Sequence, residues 1–249
     1  MHRSAEKVPN IDALTITPLI VVHIAIFLLP RNVFAEVVYM LGYVASLAVA
    51  STRGEYRHLL LIPAAGLGIG LVVEILGVST GIPFGRYEYV SLVAPRVFGV
   101  PISVPVMWGF YAYLTYLIAS SVVRRRGVAR AVYASLLMVG LDLAMDPFMV
   151  NEINAWTWLG GLGPRWFGVP ASNFVGWFVV SLAIFLIHET AARDARMPRA
   201  YVLAIPYACL LMFFASHTDP ELADSIAALI VTLLAVPALI ASFLSTKKD

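Results

Sequence analysis

Eight stretches of mostly apolar residues run through the chain, and they limit its possible folds more than any other feature. They lie at about 15–30, 33–50, 59–79, 105–123, 131–150, 173–192, 199–216 and 224–244. An α-helix needs about 20 such residues to cross the hydrocarbon core of a bilayer. With 60% hydrophobic and 13% charged residues, the composition is far from that of a soluble domain. The sequence therefore predicts an all-α polytopic membrane protein, a single transmembrane domain over residues 1–249 with about eight helices.

The distribution of Lys and Arg tests this count, because positive residues concentrate in cytoplasmic loops. With eight spans, the termini and alternate loops share one side of the membrane. Of the 17 Lys and Arg residues, all but Arg31, Arg86, Arg96 and Arg165 fall on that side. We therefore expect a protein of the cell membrane with both termini and the 124–130 loop in the cytoplasm. The net charge of +2 records this bias and gives no sign of a nucleic-acid partner.

Two stretches resemble each other at an offset of 69 residues. APRVFGVPISVPVMWGF begins at Ala94, and GPRWFGVPASNFVGWFV begins at Gly163. The pattern predicts two parallel units, about 59–123 and 131–192, each made of a helix, a long loop and a helix (spans 3 and 4, then spans 5 and 6). Parallel repeats of this kind are related by a pseudo-twofold axis along the membrane normal. We expect the functional site where the units meet, with parts of the loops 80–104 and 151–172 folded over the helix mouths.

Three acidic residues lie inside the apolar stretches. Glu74 interrupts the third, while Asp142 and Asp146 lie four residues apart in the fifth and so share one helix face. An acid at the membrane centre costs about 2.5–3.5 kcal/mol, so such residues usually mark a functional site. Capping of a helix end is the alternative interpretation, chiefly for Asp146, which precedes Pro147. We predict that the three acids are catalytic and converge on one apolar cavity.

Aromatic residues cluster around these acids in the sequence. Each alone is typical of the aromatic belt at a membrane interface, but together they predict an aromatic box that binds substrate, since aromatic faces stabilise cations. The predicted substrate-binding residues are Tyr87, Tyr89, Trp108, Trp156, Trp158 and Trp177, with Asn173, which could instead cap a helix or orient a water. His188 and Glu189, near the end of the sixth span, are expected to extend towards the cytoplasmic interface.

Several motifs occur in a fixed order between about residues 60 and 180. They are TGIPFGRYEY, the two FGVP segments, DLAMDP followed by WTW, and NFVGW. Together they resemble the carotenoid-biosynthesis membrane hydratase family, of the bisanhydrobacterioruberin hydratase and carotenoid 1,2-hydratase type. The resemblance implies addition of water across the terminal isopropylidene C1=C2 bond of an acyclic carotenoid, with no metal or redox cofactor.

The chemistry of that reaction suits buried acids. A carboxylic acid protonates C2, a tertiary cation forms at C1, and water then adds there. Burial and a neighbouring carboxylate both favour the protonated acid that the first step needs. On this hypothesis Asp142 is the proton donor and Glu74 is the partner that activates water. The substrate, dissolved in the bilayer, is expected to enter sideways between helices.

Two other functions remain open from the residues alone. DLAMD is a DxxxD pattern, which could bind a diphosphate through Mg²⁺ in a membrane prenyltransferase. Buried acids also relay protons in proton-coupled transporters, and parallel repeats are found there too. A chemically altered lipid product would exclude a transporter, and activity without Mg²⁺ would exclude the prenyltransferase.

Overall fold

The computed structural model describes residues 33–240 apart from 53, 93, 194–196 and 199, together with Val21. The predicted first span, at 15–30, and both termini lie outside the described residues. The described part is mostly helical, as predicted. Its α-helices are α1 Val33–Thr52, α2 Leu61–Thr80, α3 Ser103–Val122, α4 Val128–Asn151, α5 Ala171–Ala191, α6 Ala204–Ser216 and α7 Pro220–Ile230. Short 3-10 helices, Gly54–Leu60 and Tyr201–Leu203, precede α2 and α6, and a π-helical turn, Val231–Ala235, extends α7.

Four of the described helices are long and apolar enough to cross a membrane. They are Arg57–Thr80, Val128–Asn151, Ala171–Ala191 and Pro220–Ile240. Helix α3 is also 20 residues long but less apolar, and every residue from Trp108 to Ser120 in it is buried. Its tyrosine, threonine and serine side chains are therefore surrounded by other helices, where polar groups find partners that lipid cannot offer. The chain is a membrane protein, and the count of eight spans stays a prediction.

Small residues let α2 approach α3 closely. A Cβ atom added to Gly66 would lie 2.7 Å from Gly109 Cα on α3, and one added to Gly70 would lie 2.8 Å from Trp108 Cβ. Such close helix approach through glycine is characteristic of membrane helix packing. Gly70 and Gly77 lie one turn on either side of Glu74, so they share its face of the helix. The glycines thus leave room on α2 for large side chains directed at Glu74.

Short strands in the two long loops correct the all-α prediction. β1 (Tyr87–Tyr89) pairs antiparallel with β4 (Trp156–Trp158), which joins the two loops. Each loop also has its own hairpin: β2 (Arg96–Val97) with β3 (Val100–Pro101), and β5 (Arg165–Trp166) with β6 (Val169–Pro170). Phe98 and Phe167 occupy the same turn position with φ of 49° and 46°. The two hairpins have one conformation at the 69-residue offset.

A polar cluster holds the opposite ends of the helices together. Glu189 accepts hydrogen bonds from the Tyr116 hydroxyl (2.6 Å) and the Gly127 backbone N–H (2.9 Å). Arg126 Nε and Arg130 Nη1 form ion pairs with the same carboxylate at 3.3 and 3.6 Å. Glu189 and His188 are buried, so the expectation that they extend to the interface was wrong. The charge is retained inside because the turn between α3 and α4 surrounds it with donors.

Candidate functional site

Glu74 lies in the C-terminal half of α2, buried and surrounded by hydrogen-bond donors. Its Oε1 accepts from the indole N–H of Trp108 at 2.8 Å. Its Oε2 accepts from the hydroxyl of Tyr89 at 2.6 Å and also from that of Tyr87. Both tyrosines come from β1, and Trp108 comes from the first turns of α3. Every described donor to this carboxyl is therefore a neutral aromatic group.

The β1–β4 pairing brings four of the predicted aromatic residues together. Tyr87 lies opposite Trp158 and Tyr89 opposite Trp156, with ring centroids 5.0 and 6.0 Å apart. We call these four side chains the aromatic cage. Burial, together with the nearby Glu74, raises the pKa of Tyr87 and of Tyr89. Both phenols therefore remain protonated hydrogen-bond donors at physiological pH.

Asp142 and Asp146 lie on one face of α4, as their spacing predicted, and both are buried. A single amide links them, since Asn173 Nδ2 donates to Asp142 Oδ2 and to Asp146 Oδ2, each at 2.7 Å. Trp156 of the cage donates its indole N–H to Asp146 Oδ1 at 2.7 Å. Glu74 is close enough to interact electrostatically with both aspartates. The three acids therefore belong to one site, between α2, α4, α5 and the β1–β4 pair.

Trp177, the remaining predicted residue, contacts Trp108, which in turn donates to Glu74. Its ring stacks on that of Trp108 with centroids 4.0 Å apart, and so supports the donor to Glu74. Phe84 packs 6.1 Å from Trp108 and fills the space left by Gly176. Phe84 and the glycines of α2 were not among the predicted site residues. Glycine at positions 70 and 77, spaced around the acid, was the signal that large side chains approach there.

The arrangement can hold and transfer a proton among buried carboxyl groups. Three carboxyl groups share it, and the described groups that bond to them are phenol, indole and amide, not Lys or Arg. Six aromatic rings line or support it, a surface that stabilises positive charge. Glu152, at the end of α4, is exposed and is not among these contacts.

Comparison with known proteins places the whole described bundle in one family. The model of a family described as carotenoid biosynthesis protein matches residues 34–241, which include every helix and strand of the site. No curated protein and no solved structure matches the chain.

Proposed function

Since the chain belongs to the carotenoid biosynthesis protein family, we propose that it is a hydro-lyase that hydrates the terminal C1=C2 bond of an acyclic carotenoid. The observation that carries this proposal is the set of three buried carboxyl groups, two of which accept hydrogen bonds from the aromatic cage while the third is joined to Asp146 through Asn173. Hydration of an isopropylidene end needs a proton donor, a surface that tolerates a tertiary cation, and water. The site brings acids and aromatic faces into contact with each other, which is the combination this reaction requires.

Asp142 is our proposed proton donor. Its Oδ2 accepts from Asn173, whereas no donor to its buried Oδ1 is found in the part of the chain that the structure describes. A buried carboxylate oxygen without a donor is costly, but a carboxylic acid that carries its proton there avoids much of that cost. The geometry supports an O–H at Oδ1 that is available to C2 of the substrate.

Glu74 receives a different role in this proposal from the one expected of it. Three aromatic donors already bond to its oxygens, and they compete with a water molecule for the carboxyl. We assign Glu74 to electrostatic stabilisation of the positive charge at C1, and to holding Tyr87 and Tyr89 in place. Asp146, bonded to Asn173 and Trp156, would hold the amide that orients Asp142.

We also propose that the site is built by two parallel units of about 59–123 and 131–192. Two contacts between residues 69 positions apart support this. Glu88 is paired with Thr157 at the centre of the β1–β4 pair, and Trp108 stacks on Trp177. When a residue faces its own equivalent, a twofold axis passes between the two. The acids break this symmetry, since Glu74 is equivalent to Leu143, and so the two units can serve different steps.

Of the two other functions, the prenyltransferase fits these contacts less well. A diphosphate site needs carboxylate oxygens turned towards a Mg²⁺ ion, but the oxygens of Asp146 face Asn173 and Trp156. A proton-coupled transporter would use the acids without changing its substrate. We therefore expect product formation that persists in EDTA and needs no nicotinamide or flavin.

Expression in a host that makes lycopene tests the proposal. The pigments should gain the mass of one water molecule for each hydrated end, and cells that express Asp142→Asn should not form this product. Unchanged pigments with a folded, membrane-inserted protein would count against hydration. Loss of product in EDTA with recovery on adding Mg²⁺ would instead support the prenyltransferase.

A further inference from the structure

One hydrogen-bond donor and one acceptor remain unmatched in the cage. Three of its four aromatic residues donate to an acid: Tyr87 and Tyr89 to Glu74, and Trp156 to Asp146. The fourth, Trp158, has a buried indole N–H that has no hydrogen-bond partner among the described residues. Its N–H approaches the carboxyl of Asp146, which already accepts from Trp156 and Asn173, but this contact falls short of hydrogen-bond geometry.

The acids show the complementary pattern. Of the six carboxyl oxygens of Glu74, Asp142 and Asp146, five accept a hydrogen bond from a described side chain. Asp142 Oδ1 is the one that does not, within the described residues. Buried polar atoms are normally paired. An unpaired N–H and an unpaired carboxyl oxygen beside the same Asp146–Asn173 contact therefore indicate a site for a small polar ligand.

We propose that Trp158 Nε1 and Asp142 Oδ1 together bind the water molecule that is added to the substrate, and later the hydroxyl of the product. The inference rests on the proposed hydratase function and names the binding site of its second substrate. A water molecule suits the two groups, because its oxygen can accept from the indole while an O–H bonds to the carboxyl. The apolar cage gives it few other partners, so these two groups would fix its position.

A water at this position can return a proton to the same Asp142 that protonates the substrate, so Asp142 takes part in both proton transfers. The O–H bond of Asp142 breaks, and the electron pair of the C1=C2 double bond forms the new C–H bond at C2. This leaves a cation at C1. The water oxygen then forms a bond to C1, and its proton passes to Asp142 Oδ1, which restores the acid. The step consumes one water and needs no oxidant, reductant or metal.

Trp158→Phe removes the N–H and keeps an aromatic ring. The purified protein is incubated with lycopene in D₂O, and two products are measured by mass: hydrated carotenoid, and recovered lycopene that carries deuterium. The second forms when the cation keeps the deuteron added at C2 and loses an original hydrogen, which regenerates the double bond before water adds. We expect Trp158→Phe to lower hydration about tenfold or more, as for loss of a buried hydrogen bond worth about 1.4 kcal/mol. Deuterium entry should continue, so the ratio of exchange to hydration should rise.

Two further variants make the test specific. Trp158→His restores a ring N–H and should recover part of the hydration. Trp166→Phe makes the same substitution where the indole N–H bonds to the Leu143 carbonyl, at 2.9 Å, and should leave the exchange-to-hydration ratio unchanged. Size-exclusion elution and carotenoid binding check that each variant is folded.

Three outcomes would overturn the inference. Normal hydration by Trp158→Phe would show that the indole does not position water. Parallel loss of exchange and hydration in a folded Trp158→Phe protein would assign Trp158 to protonation or packing. If the unmodified protein gave neither product, the proposed function itself would fail, and the water site with it.

Discussion

At the scale of single residues, the role of Glu74 distinguishes a catalytic site from a purely structural one. Its carboxyl lies in an apolar helix, yet both oxygens accept from neutral aromatic donors. A purely structural glutamate could be replaced by glutamine, which can accept from Trp108 while its amide donates to the two tyrosine hydroxyls. A glutamate that stabilises a cation cannot be replaced in this way, because the amide lacks the charge.

Glu74→Gln should therefore give a folded protein that still binds carotenoid but forms about 100-fold less hydrated product, comparable with removal of one preorganised electrostatic group in other enzymes. Glu152→Gln is the matched control, since Glu152 is exposed at the end of α4 and should tolerate the change. Pigment mass and thermal unfolding of both variants are measured together. Near-normal turnover in a destabilised Glu74→Gln protein would make the glutamate structural.

The acids could be predicted from the sequence, and their partners could not. Glu74, Asp142 and Asp146 stand out because charge is costly in an apolar span. Which aromatic group bonds to which acid depends on the register of β1 against β4, with Tyr87 opposite Trp158. A shift of one residue would turn the opposite face of the shifted strand towards the acids. Three-residue strands in Gly- and Pro-rich loops carry too little pattern to fix that register.

At the scale of elements, the face of α2 around Glu74 is shaped by glycine. A Cβ at Gly70 would meet Trp108 at 2.8 Å, and one at Gly77 would meet Tyr87 Oη at 2.7 Å. Hydrophobic periodicity predicted the helix but not this face, because glycine has no side chain to register in an apolar pattern. The glycines therefore determine whether both donors can reach the carboxyl.

Gly70→Ala should destabilise the protein by about 1–3 kcal/mol, the usual cost of overpacking a rigid contact. It should also lower hydration, because Trp108 is pushed away from Glu74. Gly68→Ala is the control on the same helix, where an added Cβ meets nothing within 4 Å. There, the better helix propensity of alanine should leave stability unchanged or slightly raised. Equal thermal shifts for the two variants would contradict this account of α2.

At the scale of the whole molecule, the charge pattern predicts the sides of the membrane on which the loops lie. On this prediction, the site and the aromatic cage lie on the non-cytoplasmic side, and the Glu189 cluster lies on the cytoplasmic side. In a Cys209→Ala background, a cysteine at Arg125 should react with impermeant thiol reagents only after the membrane is opened. One at Arg165 should react in intact cells, as both positions are exposed. Labelling of both from the same side would refute the topology.

The way in which the two units join also determines how substrate enters. β1 and β4 carry donors to all the acid-bearing helices of the site, so opening this pair would separate Tyr87 and Tyr89 from Trp156 and disassemble the cage. We therefore expect the pair to stay closed during turnover, with the carotenoid entering sideways between helices from the bilayer. A disulfide across the pair can hold it closed without touching the acids.

Glu88 and Thr157 are the positions for that disulfide, because they are paired directly and both side chains are exposed. Directly opposite residues in antiparallel strands have Cα atoms about 4.5–5.5 Å apart, within the range that a disulfide spans. Glu88→Cys with Thr157→Cys, in a Cys209→Ala background, should cross-link on mild oxidation and keep its rate of hydration. The two single-cysteine variants control for the oxidant. Activity that disappears on oxidation and returns on reduction would show that the β1–β4 pair has to open, and that substrate enters through the loops instead of from the lipid.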